Sequence, residues 1–227
     1  MQHLDPLRES LPDVARDLKI NLQNVLAESS LTAEQRWGVA VACGYASRSP
    51  RLAQGLALQA AEAVGPAVLE DARAAAVLMA MNNVYYRSKH MLGRPEVDAL
   101  PARLRMTRIA KPATNKVDFE LMCLAVSAIN GCERCIGAHE KTVREAGLGA
   151  EQVHDAIRIA AVVEDLPGAE VVERRDDYLY ARFTTAMLRF VDDVEFWVDP
   201  AAGVVQVRSA SRVGRKDFGV NRARIEQ

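Results

Sequence analysis

The run Asn130-Gly131-Cys132-Glu133-Arg134-Cys135-Ile136-Gly137-Ala138-His139 holds most of the reactive side chains of this chain within one short stretch. Cysteines at i and i+3 meet on one helical face, close enough to form a disulfide with modest backbone adjustment. Gly131 suits the turn into such a helix. Thiols in a first helical turn feel the positive end of the helix dipole and its free N–H groups, which stabilise thiolate. Arg134 adds positive charge between them. His139 lies one turn beyond Cys135, where an imidazole can take or return a thiol proton. Glu120, on the preceding helix, can orient His139 or hold a relay water. Together these residues have the parts of a nucleophile, a base and an orienter built around sulfur. A pair so placed suits thiol–disulfide redox chemistry. Exchange with an external dithiol resets the pair.

Other readings compete. Cys132, Cys135 and His139 could supply three zinc ligands, with Cys123 a weak fourth. No second CxxC and no paired histidines complete such a set, so no metal is expected. Two plain core cysteines fit the polar flanks poorly. Cys43 and Cys123 read as small core residues, and His3, His90 and His154 as surface or structural ones. Which thiol attacks is left open by the residues. Dipole physics favours Cys132, nearer the helix start, and proximity to His139 favours Cys135.

Helices must position this group. Apolar stripes predict helices over 14–27, from Thr32 to about Ser49, and over 51–64, 67–90, 117–129, 132–146 and 151–163. Thr32 with Gln35 three residues on is a capping-box pattern. Ala80-Met81-Asn82 lines up at an offset of 48 with Ala128-Ile129-Asn130. Such a repeat suggests two similar halves, with Val84 and Arg87 standing where the second half has its cysteines. No strand-like alternation appears before residue 164.

The matching stretches Ile20-Asn21-Leu22, Met81-Asn82-Asn83-Val84-Tyr85-Tyr86-Arg87, Arg105-Met106, Asp118-Phe119-Glu120-Leu121 and Ala125 through Cys132, Cys135 and His139-Glu140 carry a family resemblance. Residues 1–163 resemble the alkyl hydroperoxide reductase D family, within the carboxymuconolactone-decarboxylase-like superfamily. The resemblance implies an all-α fold, a homotrimer and an antioxidant thiol peroxidase and disulfide reductase. Such an enzyme reduces organic hydroperoxides and recycles a partner peroxiredoxin, with dihydrolipoyl groups on an acyltransferase as electron donor and no bound cofactor. It assigns Cys135 as the peroxide-attacking thiol, Cys132 as proton donor and resolving thiol, and His139 with Glu120 as the relay. Some members carry a histidine between the cysteines; Arg134 stands there and cannot shuttle protons. Two alternatives are an interaction module with a relic CxxC and a decarboxylase-like enzyme acting on a small lactone.

From residue 164 the period changes. Val171-Val172, 178–183, 194–198 and 204–207 read as strands, with 199–203 a hairpin loop and 220–226 a short helix. The expected organisation is therefore an all-α domain, 1–163, followed by a β-rich segment, 164–227. Seven of the twelve aromatic residues lie in that last segment. Its charge is polarised: ten acids face four bases in 164–199, and two acids face six bases in 200–227. Attraction between the two parts follows. Residues 168–227 resemble the C-terminal half of an uncharacterised bacterial domain family, so the chain reads as a nearly complete enzyme joined to part of another domain. An Arg/Ser cluster, 208–215, is a weak anion-site candidate.

Composition bounds the rest. A formal net charge of −1 over 227 residues argues against a nucleic-acid surface. No apolar run spans a membrane, and the N-terminus has no signal-peptide core, so reduced thiols and a cytoplasmic location are expected.

Overall fold

A computed structural model describes residues 1–11, 13–47, 49–166, 169–184, 191–200 and 202–212. The chain divides into two units, Met1–Glu164 and Asp165–Gln227.

The first unit is helical. Its elements are α1 (Asp5–Glu9), a 3₁₀ turn (Asp13–Ala15), α2 (Arg16–Ala27), α3 (Ala33–Ala46), α4 (Pro50–Ala61), α5 (Pro66–Leu92), α6 (Pro95–Asp98), α7 (Thr107–Ala110), α8 (Lys116–Ile129), α9 (Glu133–Glu145) and α10 (Ala150–Asp165). All seven helices expected from periodicity are present, with ends within three residues of those expected. The short α1, α6 and α7 carry no buried residue, so they leave no apolar stripe to read.

Local chemistry sets the boundaries. The capping box at α3 is complete: the Gln35 backbone N–H donates to Thr32 Oγ1, and the Thr32 N–H donates to Gln35 Oε1, both at 3.2 Å. Gln35 Nε2 then donates to Asp118 Oδ1 at 2.8 Å, joining α3 to α8. Pro50 and Pro66 open α4 and α5 at positions where a missing N–H costs nothing. Asn115 caps α8 by accepting the Asp118 N–H at 2.9 Å.

Helix α8 is the centre of this unit. Every residue from Phe119 to Ser127 is buried. A helix apolar on all sides needs neighbours all round, and α8 packs against α3, α5 and α9. Gly38 lets α3 approach: a Cβ there would come within 2.2 Å of the Met122 terminal methyl.

The proposed repeat is not a structural one at its key point. Helix α8 ends at Ile129 and turns through Asn130-Gly131, whereas α5 runs unbroken past Asn82 to Leu92. The aligned residues share local composition, but only the second copy has Gly131, with φ of +62°, to reverse the chain.

The second unit is a four-stranded antiparallel sheet in the order β1 (Ala169–Arg174), β2 (Tyr178–Thr184), β3 (Val191–Asp199) and β4 (Val204–Ser211). Asp199 pairs with Val204 across the expected hairpin, whose Gly203 takes φ of +67°. Buried and exposed residues alternate in β3 only in part. Val194 is fully buried and Trp197 exposed, but Val198, near the hairpin end, is exposed too. Arg208 pairs with Glu195 and Arg212 with Asp193, so charge attraction acts between the acidic and basic parts. The expected helix over 220–226 and the rest of the Arg/Ser cluster beyond Arg212 lie outside the described residues.

Candidate functional site

Cys132 and Cys135 are joined by a disulfide, with their Cα atoms 5.3 Å apart. Cys132 is the N-cap of α9 and Cys135 lies in its first turn. No side chain caps this helix end. The positive end of the helix dipole therefore lies at the pair, where it favours thiolate once the pair is reduced. Both cysteines fall inside the dipole's range, so that field separates them little. Exposure separates them slightly: Cys132 is wholly buried and Cys135 is 6% exposed.

The turn that carries Cys132 is held by side chains of α5. Asn83 Nδ2 donates to Ser127 Oγ at 2.9 Å, and Asn130 Nδ2 donates to Asn83 Oδ1 at 2.9 Å. The Cys132 N–H donates to the Ser127 carbonyl at 3.1 Å, and Arg87 donates to the Asn130 carbonyl. Asn83 is buried and thus bridges the end of α8 to the turn before α9. Sequence reading assigned it no role, although it lies in a quoted stretch; only the fold brings it beside Ser127 and Asn130.

Glu120 and His139 meet, which is one of the two arrangements the sequence left open. Glu120 Oε2 lies 2.5 Å from His139 Nδ1, with both side chains largely buried. The other ring nitrogen, Nε2, lies 3.3 Å from the sulfur of Met79, a fully buried residue of α5. Met79 was not singled out by residue type, because a thioether joins this site through tertiary contact alone.

Arg134 does not face a reacting group. It donates to Asp98 Oδ1 at 2.8 Å, and Asp98 also lies 3.9 Å from Lys89 Nζ. Lys89 further donates to the Asp98 and Leu100 carbonyls at 3.0 and 3.2 Å. His90 reaches Glu133 at 3.3 Å. The C-terminal turns of α5 and the segment after it therefore brace the start of α9. His3 lies 3.0 Å from Glu62, and the exposed His154 lies 4.0 Å from the buried Asp155.

Asp71 anchors the approach to α8. Its carboxylate accepts from the Ala113 and Thr114 N–H groups and the Thr114 hydroxyl at 2.7–2.8 Å, and from Arg108 at 2.9 Å. Burial pushes its pKa up, but these donors outweigh that and hold it low. The remaining thiols are inert by environment. Burial, with lesser help from Glu164, raises the Cys43 pKa, and burial, with lesser help from Glu120 and Asp71, raises that of Cys123. Neither is a nucleophile at neutral pH. Among the described residues no group of three or more His, Cys, Asp or Glu side chains is arranged to hold a metal ion.

Comparison with known proteins bears on both units. A protein named alkyl hydroperoxide reductase AhpD from Anaeromyxobacter dehalogenans (strain 2CP-C) is 58% identical over 163 residues, which is 72% of this chain and 88% of that protein. One of the same name from Methylobacterium sp. (strain 4-46) is 53% identical over 163 residues, 72% of this chain and 93% of its own length. Another from Streptomyces avermitilis is 47% identical over 161 residues, 71% and 91% of the two chains. A family model described as a protein of unknown function (DUF1499) matches residues 126–227. That match takes in the whole sheet and begins within α8, further upstream than residue 168, where the sequence reading placed the resemblance.

Proposed function

Because the chain belongs to the alkyl hydroperoxide reductase AhpD family, we propose that it reduces organic hydroperoxides through Cys132 and Cys135. The observation that carries this reading is a disulfide at an uncapped helix start, on the same helix as a histidine bound to a buried carboxylate. Reduced Cys135 attacks the hydroperoxide oxygen as thiolate. The O–O bond breaks, Cys135 becomes sulfenic acid, and the departing alkoxide takes a proton to leave as alcohol. The Cys132 thiol then attacks the sulfenic sulfur; water leaves and the disulfide forms. The slight exposure of Cys135 supports its role as the sulfur that outside reagents reach.

Two electrons and two protons must return. An external dithiol attacks the disulfide, passes through a mixed disulfide, and departs oxidised. In this reading the dithiol is a dihydrolipoyl group on an acyltransferase, a partner peroxiredoxin draws on the same pair, and the chain works as a homotrimer. Glu120 and His139 serve the proton steps. No cofactor or metal is bound in this cycle.

The test is hydroperoxide consumption driven by dihydrolipoamide. Wild type is expected to turn over, and Cys135→Ser to lose activity by several orders of magnitude. A sulfenic-acid probe should label Cys132→Ser, which retains Cys135. Labelling of Cys135→Ser instead would reverse the thiol assignment. No consumption by reduced wild type would overturn the reading.

A further inference from the structure

The connection between α5 and α8 carries a charge that the chain as a whole does not. Residues 94–116 hold six bases and two acids, in a chain whose formal net charge is −1. Two of those groups are engaged: Asp98 pairs with Arg134 and Lys89, and Arg108 pairs with Glu70 and Asp71. Arg94, Arg103, Arg105, Lys111 and Lys116 are exposed, and among the described residues their side chains make no ion pair and no hydrogen bond. The segment is fixed at both ends. Arg134, between the two cysteines in sequence, donates to Asp98 at 2.8 Å, so one end lies beside the start of α9. Asp71 holds Arg108 and the Ala113 and Thr114 N–H groups, so the other end lies at the approach to α8. The 14 residues of α8 set those two places about 20 Å apart. Cations spread over such a distance do not converge on one small anion. They suit a protein interface, which covers about 800 Å² on each side. Exposed Met91, Leu92 and Leu100, beside them in sequence, offer apolar contact, and interfaces favour Met and Arg. No aromatic residue lies in 94–116 to stack a base, and α6 and α7, of four residues each, are too short to lie in a membrane surface.

We propose that residues 94–116 are the docking surface for an acidic protein that carries the reducing dithiol. The cargo rests on the peroxidase reading; the docking of an acidic face does not. Cys132 is wholly buried and Cys135 only 6% exposed, so a dithiol must be brought to the start of α9 and held there. The unpaired cations draw the carrier in and orient it. The Arg134–Asp98 bond ties the surface to the helix it serves. One carrier thiolate attacks the Cys132–Cys135 bond to form a mixed disulfide, and the second carrier thiol displaces it. The carrier leaves as a disulfide, and the cysteine pair has gained two electrons and two protons.

The test uses the full chain and an isolated lipoyl domain of net negative charge. Titrated onto the oxidised protein at low salt, the domain is expected to bind, and to bind about tenfold more weakly at about 0.2 M salt. The double variant Arg94→Glu, Arg105→Glu breaks no ion pair and is expected to weaken binding about tenfold or more. Arg16→Glu, a reversal on α2, is expected to leave binding unchanged. In the peroxide assay the double variant should lose rate with the reduced lipoyl domain as donor. It should keep the wild-type rate with free dihydrolipoamide, which is uncharged, and that rate also shows that the variant is folded. No binding of the acidic domain by wild type, binding indifferent to salt and to the double reversal, or equal weakening by Arg16→Glu overturns the proposal. Phosphatidylserine vesicles or single-stranded DNA bound in place of the acidic domain, or self-association of the chain lost in the double variant, would assign the surface to another occupant and overturn it too. Absent turnover with either donor, while the domain still binds, would instead sink the peroxidase reading and leave the docking surface standing.

Discussion

At the scale of single residues, Asp155 is a carboxylate that holds the frame. It accepts from the Ser30 N–H and hydroxyl, from Ser29 and from Arg158 at 2.7–3.2 Å. Burial pushes its pKa up, but these donors bring it down to about 2. A carboxyl held below its unfolded value of about 3.9 stabilises the fold fully above that pH, and the benefit is lost as pH falls towards 2. Asp155→Asn should lose on the order of 2 kcal/mol at neutral pH. In urea titrations the gap to wild type should close between about pH 4 and pH 2; a gap that does not change with pH would place the cost elsewhere. The Cys132–Cys135 pair and the Glu120–His139 pair were legible in the sequence because spacing on two helices suffices to bring each pair together. Asn83 and Met79 were not legible, since an amide and a thioether declare no chemistry until a third helix is laid beside them.

At the scale of elements, the site depends on where α8 stops. Asn130 and Gly131 end it, and Gly131 takes φ of +62° with open space around its missing Cβ. Gly131→Ala therefore meets no clash, only the backbone cost of about 1–2 kcal/mol. Thermal unfolding should show that loss, and the Cys132–Cys135 pair should reoxidise more slowly because Cys132 is displaced from its cap. A variant as stable as wild type would mean that the turn can be made otherwise. The amphipathic and apolar helices were legible because burial writes a period into the chain. The short α6 and α7 write none. They are fixed by side-chain contacts of Lys89, Asp71 and Arg108, which no local pattern announces.

At the scale of the whole molecule, two units share one chain. The change from helical to strand period near residue 164 was legible, and the two units divide at Glu164 and Asp165. The four strands were legible too, and each pairs with the next along the chain, as short connections favour. Limited proteolysis should cut within 164–170 and release a soluble helical fragment that keeps its disulfide and sediments as a trimer. Loss of both parts together would show that the helical unit needs the sheet. No described helix is both long and apolar enough to cross a membrane. Helix α5 is long for another reason. It carries Asp71 near one end, Met79 and Asn83 in its middle, and Arg87, Lys89 and His90 near the other. Losing or gaining one residue between Asp71 and Met79 would rotate everything beyond by about 100° and shift it by about 1.5 Å. The sulfur, the amide and the cations would leave their partners at once. Insertions and deletions are thereby confined to the connections, and the length of this one helix is as constrained as the identity of any residue on it.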